Sequence, residues 1–400
     1  MYRRITAVAL ALSMILVACG GEEETTVNAQ PTAEPTSTTS TSTTLPPTTT
    51  TTLPTITLTG APEELTQVVA DFYAYALGAS DETPNAPDAV VSSLTPDDVD
   101  IPVGGEASLG TFQGQQLAVV EAESDLFLAV DDGSGWRIVG GEWPSVAAPA
   151  YFGVGPRHVV VVGSDARPGQ AMEKTRADSI HFVALDGAGS GAVVGLPRDS
   201  YVPVPGFGKK KITASLALGG PETMMASFTD LTGLPLEGYV LTGFDGFQQL
   251  LGTVLGGVEV NVPMSINDRW AHVALSAGEQ MLNGAEALGF ARARKTVPGG
   301  DFGRSEHQGL ILLAAASTVK DMGYRAIPGL MEGAEPHLMT SLTPEQLLTF
   351  SAMAISADLE SMPNVVTPGR TGSAGGASVV FLAGSVDDLW ADLADGRLES

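Results

Sequence analysis

Cysteine is nearly absent from this sequence of 400 residues, in which Cys19 stands alone. An intrachain disulfide and a thiolate metal cluster are therefore both excluded. The five histidines have no metal-type spacing, so a zinc site is not expected either. Basic residues are few as well: 20 Lys plus Arg stand against 46 Asp plus Glu, which gives a formal net charge of -26. This charge argues against a nucleic-acid partner, and any bound anion needs a local basic cluster.

The start of the chain carries an apolar run that is too short to span a membrane comfortably. Arg3 and Arg4 precede this run, and it ends in Leu16-Val17-Ala18-Cys19. A short basic start followed by such a run predicts an export signal. Its last four residues resemble the bacterial lipobox, which implies a lipoprotein signal peptide over residues 1–19 and a membrane anchor through acylated Cys19. An ordinary signal peptide that contains a cysteine is the alternative.

Composition divides the rest of the chain into three parts. Residues 20–60 are rich in Thr and Pro and have almost nothing apolar to bury, which predicts a disordered tether. Residues 61–150 show a helical pattern followed by three strand-like runs, so we expect a small α+β accessory domain there. Residues 151–400 alternate strand and helix patterns, which predicts an α/β domain with α-β-α layers and a mixed central sheet.

Opposite charges stand next to three predicted strands of the larger domain. The strands are expected at His158–Gly163, Ile180–Leu185 and Ala192–Leu196. The charged pairs at their ends are Asp165 with Arg167, Arg176 with Asp178, and Arg198 with Asp199. Ligand sites tend to gather at one edge of a sheet that helices cover, so we expect these pairs to converge. Structural ion pairs are the alternative.

Two predicted helices add further polar groups. The first begins at a capping box, Asn283–Glu286, and the second is expected to have Asp301 as its N-cap. The groups that they contribute are Arg292, Arg294, Asp301, Arg304 and Gln308. Arginine binds phosphate oxygens through two N–H groups, and carboxylates can hold a Mg²⁺ that bridges two phosphates. The combined set favours a pyrophosphate ligand and a metal-assisted phosphoryl transfer.

Five motifs follow one another in the order seen in LytR-CpsA-Psr (LCP) proteins, and the resemblance covers about residues 157–320. They are Gly163-Ser164-Asp165-Ala166-Arg167, Arg176-Ala177-Asp178-Ser179, Pro197-Arg198-Asp199-Ser200-Tyr201-Val202-Pro203 with Lys211-Ile212, Arg292-Ala293-Arg294, and Gly300-Asp301-Phe302-Gly303-Arg304 through Gln308. Residues 151–400 are thus identified as an LCP-like catalytic domain.

The resemblance implies a cell-wall glycopolymer ligase that moves a glycan phosphate from a polyprenyl-pyrophosphate carrier to peptidoglycan. It further implies Mg²⁺ as cofactor, an apolar tunnel for the lipid tail, and a position on the extracytoplasmic face of the membrane, within the cell wall. Asp165 and Asp178 would hold Mg²⁺. The pyrophosphate would be bound by Arg176, Arg198, Arg292, Arg294, Arg304 and Gln308. Catalysis would rest on Arg198, Asp199, Asp301 and Arg304, with either Asp199 or Asp301 as general base.

Two positions depart from the family pattern. His307 stands where many members have a second arginine, and Gly309 stands where a glutamine is often found. These departures favour an alternative function, a noncatalytic wall-associated module that binds polyprenyl phosphate or anionic glycan. Hydrolysis of the carrier pyrophosphate is a third hypothesis, which differs only in whether water or a sugar attacks.

Overall fold

The computed structural model describes residues 55–95 and 101–398. The predicted signal peptide, the Cys19 lipidation site and most of the tether at 20–60 lie outside these residues, so the structure does not test them. Thr50–Ser400 forms one compact unit. Within the described ranges, no helix is both long enough and apolar enough to cross a membrane.

The first part of the described chain forms a six-stranded sheet with two helices. Its elements are β1 (Thr57–Thr59), α1 (Glu63–Ala76), α2 (Asp88–Val91), β2 (Gly104–Phe112), β3 (Gln115–Ala122), β4 (Asp125–Asp131), β5 (Trp136–Trp143) and β6 (Ala148–Tyr151). The strands are hydrogen-bonded in chain order; β1 runs parallel to β2, and the later neighbours are antiparallel. The helical spacing predicted after Pro62 is confirmed, since Leu65, Val69 and Phe72 of α1 are buried.

Both faces of this sheet are buried. In β3, Val120 belongs to a core shared with α1, whereas Val119 belongs to a core on the opposite face. Continuous apolar runs of this kind are typical of strands that are covered on both sides. The second core also contains Leu348 and Met353 from much later in the chain. The sheet therefore packs against the remainder of the compact unit, and the domain boundary near residue 150 stays a prediction.

The second part of the chain holds a mixed sheet surrounded by helices and hairpins. Its strands are β7 (Arg157–Ser164), β8 (Ala177–Leu185), β9 (Gly191–Gly195), β10 (Tyr201–Val204), β11 (Gly208–Lys211), β12 (Leu236–Thr242), β13 (Val258–Val262), β14 (Ile266–Asp268), β15 (Val273–Leu275), β16 (Gly278–Leu282), β17 (Met339–Thr340), β18 (Asn364–Val366), β19 (Gly369–Ala374) and β20 (Ala377–Leu382). Its helices are α3 (Ala214–Thr232), α4 (Phe244–Gln249), which continues as a π-helical turn (Leu250–Val254), α5 (Gly284–Arg292), α6 (Asp301–Met322), α7 (Ile327–Ala334), α8 (Pro344–Ser356) and α9 (Val386–Leu393).

The main sheet has the strand order β17-β12-β7-β8-β9-β18 and mixes parallel with antiparallel pairs. Successive residues of β8 point to opposite faces. On one face, Phe182 packs edge to face against Phe228 of α3 and Trp390 of α9, with ring centroids 5.6 and 5.1 Å away. On the other face, Val183 joins the core that contains Met353 of α8. The predicted α/β fold with α-β-α layers is confirmed.

Glycine-rich segments account for two differences from the expected elements. The sequence predicts a helix from Pro221, whereas α3 begins at Ala214 and is broken by non-helical backbone at Gly219 and Gly220. The run at 371–376 was expected to be a loop, but Gly369–Ala374 pairs with β20 in an antiparallel hairpin. This strand is mostly small and exposed, so no apolar alternation reveals it in the sequence.

A buried histidine links the main sheet to α6. His181 is fully buried, with Nε2 2.9 Å from the carbonyl oxygen of Ser305 and Nδ1 3.2 Å from Oγ of Ser179. Burial lowers the pKa of His181 from its ordinary value of 6.5 to about 4, because the charged ring would lose its hydration, and the Ser305 carbonyl offsets only part of this effect. The ring is therefore neutral in the native protein near pH 7.

We expect His181 to make the protein acid-sensitive. Between its lowered pKa and its ordinary pKa the unfolded chain binds a proton that the native state does not, so stability is lost as pH falls from 7 to 4. This loss approaches about 3 kcal/mol at pH 4. Urea unfolding at several pH values should give a shallower pH dependence for His181→Gln than for the wild type. Equal slopes would contradict a neutral buried His181.

Candidate active site

A cavity of about 440 Å³ lies between β7, β12 and helices α4, α5 and α6. One part of its lining is apolar and includes Val161, Val240, Phe247, Leu251 and Ile311. The other part, here called the charged mouth, contains Asp165, Arg167, Asp178, Arg198, Asp268, Arg292, Arg294, Lys295 and Arg304. The cavity therefore offers an apolar interior together with a charged mouth, as an amphipathic ligand requires.

Five of the predicted residues form a continuous chain of ion pairs at this mouth. Arg198 Nη1 donates to Asp178 Oδ2 in a short contact, and Arg198 Nε lies 3.9 Å from Asp301 Oδ1. Arg304 Nη2 lies 2.5 Å from the same Asp301 oxygen, and Arg294 Nη1 lies 3.9 Å from it. The sequence separates Asp178 from Arg304 by more than 120 residues. The fold thus brings two of the six strand-end charges, Asp178 and Arg198, into one cluster with Arg294 and the α6 charges.

The pKa values of Arg198 and Arg304 are shifted in opposite directions. Burial opposes the charge of Arg198, yet Asp178, Asp301 and Asp199 outweigh this effect and raise the pKa of its guanidinium. For Arg304, whose side chain is 7% exposed, burial dominates over Asp301 and lowers the pKa of the guanidinium. A desolvated cation binds an anion more strongly than a hydrated one, because water screens it less.

The helix that presents Arg304 begins one residue earlier than expected. Gly300, with φ of 60°, is the N-cap of α6, and the Asp301 side chain makes no capping hydrogen bond. The prediction of Asp301 as N-cap is therefore wrong. Glycine takes this left-handed conformation readily, which leaves the Asp301 carboxylate directed to the arginines and not to the helix N–H groups. The capping box of α5, between Asn283 and Glu286, is confirmed.

Asp165 and Arg176 are joined by two hydrogen bonds at the edge of the sheet, and both involve the Arg176 backbone. The Arg176 N–H donates to Asp165 Oδ1 at 2.9 Å, and the Asp165 N–H donates to the Arg176 carbonyl at 2.9 Å. The exposed Arg176 side chain is not part of the cavity lining. Asp199 is also outside the lining, and its Oδ1 pairs with Lys211 Nζ at 3.1 Å, at the base of the β10–β11 hairpin.

The remaining predicted ligands of the pyrophosphate line the cavity. The guanidinium of Arg292 stacks on Phe244, with Cζ 4.6 Å from the ring centroid. Gln308 Nε2 donates to the carbonyl of Ala291 at 3.0 Å, which ties α6 to α5. Arg294 is the most open member of the cluster, since 42% of its side chain is exposed. These three side chains surround the charged mouth from the α5 and α6 side.

The carboxylates at the mouth have the chemistry that Mg²⁺ prefers. Asp178 Oδ1 and Asp301 Oδ2 are buried and accept no hydrogen bond, and Asp165 and Asp178 both line the cavity. Across residues 55–95 and 101–398, no three His, Cys, Asp or Glu side chains group closely enough to hold a metal by themselves. Mg²⁺ commonly uses one or two carboxylates and takes its other ligands from substrate phosphates and water. The residues present fit such a shared site.

Sequence reasoning missed three residues of the cavity lining, Asp268, Trp270 and Lys295. Asp268 and Trp270 come from the β14–β15 hairpin, and Lys295 follows α5. The strands of the β14–β15 hairpin have three residues each, which is too short for an alternation of apolar and polar residues to be recognised. The sequence therefore does not indicate that this hairpin lines the cavity. Its position depends on packing against α5, which only the tertiary structure shows.

The two departures from the family pattern have different surroundings. The buried His307 ring stacks on Phe290 with centroids 4.3 Å apart, burial lowers the pKa of His307, and the residue is absent from the cavity lining. Gly309 faces Asn364, whose Nδ2 donates to the Glu306 carbonyl at 2.8 Å. A Cβ at position 309 would lie 1.9 Å from Asn364 Oδ1. Asn364 therefore occupies the space that a side chain at 309 would need.

A model of the LytR_cpsA_psr family matches residues 152–394, which is more than half of the chain. The chain belongs to this family. The matched range of this LytR_cpsA_psr protein runs from before β7 to the end of α9 and includes every member of the charged cluster. The resemblance found in the sequence motifs is thereby confirmed.

Curated relatives match the chain over part of their length. The probable cell wall biosynthesis protein LcpB of Corynebacterium glutamicum is 34% identical over 176 residues, which are 41% of this chain and 42% of LcpB. The polyisoprenyl-teichoic acid–peptidoglycan teichoic acid transferase TagV of Bacillus subtilis is 35% identical over 151 residues, 36% of this chain and 38% of TagV. The LytR_cpsA_psr chain thus spans less than half the length of these relatives.

Solved structures share the fold. The crystal structure of B. subtilis TagV superposes with a TM-score of 0.53 and 25% identity, covering 60% of this chain and 97% of TagV. The structure of TagT bound to LI-WTA has a TM-score of 0.51 and 22% identity, covering 62% of this chain and 92% of TagT. Both agree with the α/β architecture of this LytR_cpsA_psr protein.

We expect Gly309→Gln to destabilise the protein, because its Cβ would collide with Asn364 Oδ1. Overpacking of this kind costs about 1–3 kcal/mol of the free energy of unfolding. Asn364→Gly in the same chain should recover most of the loss, since it frees the space. Urea unfolding of the two single variants and the double variant measures this coupling. Equal destabilisation by Gly309→Gln in both backgrounds would contradict the proposed contact.

Proposed function

We propose that this protein is a Mg²⁺-dependent phosphotransferase that moves a glycan phosphate from a polyprenyl-pyrophosphate carrier to peptidoglycan. The observation that carries the proposal is the single cavity with an apolar interior and an arginine-rich mouth. A ligand that fills both parts needs a long apolar chain joined to a group with several negative charges. A polyprenyl pyrophosphate has this composition, and the printed name of the relative TagV describes a transferase of this class.

The apolar interior is the proposed site of the polyprenyl chain. Val161 of β7, Val240 of β12 and Ile311 of α6 contribute branched aliphatic side chains, and Phe247 and Leu251 close another side. Removal of an isoprenoid from water into such a lining stabilises the complex by about 25 cal/mol per Å² of buried apolar surface. The interior thus supplies affinity for the carrier whatever glycan it bears.

The pyrophosphate would bind at the charged mouth. Arg198 and Arg304, whose side chains are 22% and 7% exposed, are held by Asp178 and Asp301 before any ligand binds. Fixed cations of this kind stabilise the charge that develops on the transferred phosphoryl group without reorganising during the reaction. Arg292, Arg294 and Gln308 would bind the outer oxygens, whereas Arg176 would need its side chain to turn toward the ligand.

Mg²⁺ is a proposed cofactor. Asp165 and Asp178 would hold it together with phosphate oxygens of the substrate, and the ion would neutralise part of the pyrophosphate charge. Asp178 also pairs with Arg198, so the same carboxylate would connect the metal to the arginine cluster.

In the proposed reaction the C6 hydroxyl of a peptidoglycan sugar attacks the phosphorus next to the glycan. A new bond forms between this oxygen and phosphorus, the bond to the second phosphate breaks, and polyprenyl phosphate leaves. The hydroxyl proton passes to a carboxylate. Asp301, which contacts Arg198 and Arg304, is our candidate acceptor, whereas Asp199 holds Lys211 and would position Arg198. Neither carboxylate is among the residues that line the cavity, so the proton would pass to the edge of the site.

The location of the reaction is proposed from the sequence. Acylation of Cys19 would anchor the protein to the outer face of the membrane, and the tether at 20–60 would let residues 151–400 work within the cell wall. The residues at 61–150 would then act as an accessory domain that supports the catalytic part.

A noncatalytic module that binds polyprenyl phosphate or anionic glycan is the second candidate. The observation that favours it is His307, which packs against Phe290 and adds no charge to the mouth. The two candidates differ in whether a phosphodiester product forms. In the third hypothesis, hydrolysis of the carrier pyrophosphate, water replaces the sugar hydroxyl as the attacking group, and the products are free glycan phosphate and polyprenyl phosphate.

We expect Arg198→Ala to lower the transfer rate by about 100-fold, since it removes a preorganised cation from the transferred group. Arg198→Lys should recover only a small part, because lysine keeps the charge but not the planar fork. The assay follows glycan on a peptidoglycan fragment by mass spectrometry, with a polyprenyl-pyrophosphate oligosaccharide as donor. Arg325→Ala is the matched control, since Arg325 pairs with Glu106 at an exposed site outside the cavity lining. Full activity of folded Arg198→Ala would refute this role.

We further expect a chelator to abolish turnover and Mg²⁺ to restore it. Asp178→Asn should raise the Mg²⁺ concentration needed for half-maximal rate by about tenfold or more, because loss of one ligand or its charge weakens a metal site to that extent. Asp230→Asn, at an exposed position of α3, is the control. Turnover that persists in chelator would contradict the metal requirement, and carrier binding without product would favour the noncatalytic module.

A further inference from the structure

A large aromatic side chain is exposed at the mouth of the cavity. Trp270 is 49% exposed, although it belongs to the cavity lining. The other tryptophans of the chain, Trp136, Trp143 and Trp390, are at most 5% exposed. Tryptophan is enriched at interfaces, because its ring is apolar and its N–H can donate a hydrogen bond.

Two cations lie against the Trp270 ring. Arg269 Cζ is 4.2 Å and Lys295 Nζ is 4.1 Å from the ring centroid. Both distances are well within the range of a cation–π interaction. Throughout the described part of the chain, no carboxylate forms an ion pair with either cation. We call the group formed by Arg269, Trp270 and Lys295 the cationic lip.

A buried carboxylate fixes the geometry of the cationic lip. Asp268 is 1% exposed. Its Oδ1 accepts hydrogen bonds from the backbone N–H groups of Trp270 at 2.9 Å and Ala271 at 3.2 Å. Its Oδ2 accepts from the backbone N–H groups of Arg294 and Lys295, both at 3.2 Å. One side chain therefore joins the β14–β15 hairpin to the segment after α5.

The contacts of Asp268 keep it charged although it is buried. Burial alone would raise the pKa of its carboxyl, but the four backbone N–H donors outweigh this effect and lower the pKa. The Asp268 carboxylate accepts hydrogen bonds from backbone N–H groups and forms no ion pair with the lip side chains, so it does not neutralise their positive charge. Two cations, Arg269 and Lys295, are thus held beside Trp270 in a chain with a net charge of -26.

We infer that the cationic lip is a second anion subsite, which binds a phosphate or carboxylate carried by the glycan next to the pyrophosphate. The inference rests on the proposed function and adds a substrate preference to it: carriers with an anionic glycan over carriers with a neutral one. The pyrophosphate would occupy Arg198 and Arg304. Trp270 and Lys295 of the lip line the same cavity, and Arg269 contacts it through the Trp270 ring. Asp268 is a positioning residue in this scheme, since it acts through the segments that it joins.

The test compares three ligands of the full chain in detergent: a polyprenyl pyrophosphate, the same carrier with a neutral disaccharide, and the carrier with a phosphorylated disaccharide. Calorimetry gives the dissociation constants, and the readout is the ratio of the constants for the neutral and the phosphorylated glycan. The wild type should prefer the phosphorylated glycan by about tenfold, which corresponds to one good charged contact. The double variant Arg269→Gln with Lys295→Gln should bring the ratio to about one.

Two further variants separate position from charge. Trp270→Ala and Asp268→Asn keep both cations but remove the ring or the carboxylate charge that fixes them, so both should lower the ratio. Lys174→Gln with Arg325→Gln is the control, because it removes the same charge from exposed positions outside the cavity lining and should leave the ratio unchanged.

Each failure has its own signature. A wild type that binds the plain carrier but does not distinguish the two glycans overturns the subsite and leaves the proposed function standing. An unchanged ratio in the Arg269 and Lys295 double variant also overturns the subsite. Lip variants that lose binding to anionic phospholipid vesicles at an unchanged ratio would show a membrane contact instead. A wild type that binds none of the three ligands overturns the proposed function and, with it, the subsite.

Discussion

The structure depends on keeping several arginines charged beside an apolar cavity. A buried guanidinium without a partner would be strongly destabilising, and like charges at the mouth would repel one another. Asp178 and Asp301 resolve this conflict, because each stands next to at least one arginine of the cluster. The carboxylates hold the arginines in place while some of their oxygens accept no hydrogen bond. The same arrangement supports the proposed binding of a pyrophosphate together with Mg²⁺.

The scaffold around this cluster is built from elements that are buried on both sides. β7, β8 and β9 carry nearly continuous apolar runs, since helices cover each face of the main sheet. The first sheet supports α7 and α8 from outside through a shared core. His181 ties the middle of the main sheet to α6, the helix that carries Asp301 and Arg304. The position of the charged mouth is therefore set by the packing of the whole compact unit.

Buried polar side chains repeatedly join segments that are distant in sequence. Asp268 joins a hairpin to the segment after α5, and Asn364 contacts α6 through the Glu306 carbonyl. The absence of a side chain at Gly309 follows from the second of these contacts. The departure from the family pattern at Gly309 therefore has a packing reason in this chain, because Asn364 fills the space. The arginines of the mouth are retained around it.

The sequence by itself determined the family, the layered fold and the helix cap of α5, because motif order, apolar periodicity and capping residues are local signals. Of the strand-end charges that were expected to converge, Asp165, Arg167, Asp178 and Arg198 line the cavity. It also placed Arg198, Asp178, Asp301 and Arg304 in one set. Only the tertiary structure decided which carboxylate pairs with which arginine, that Asp199 turns to Lys211, and that Asp268, Trp270 and Lys295 reach the same cavity. These contacts join residues that are far apart in the chain, and no local pattern encodes a distance that packing alone sets.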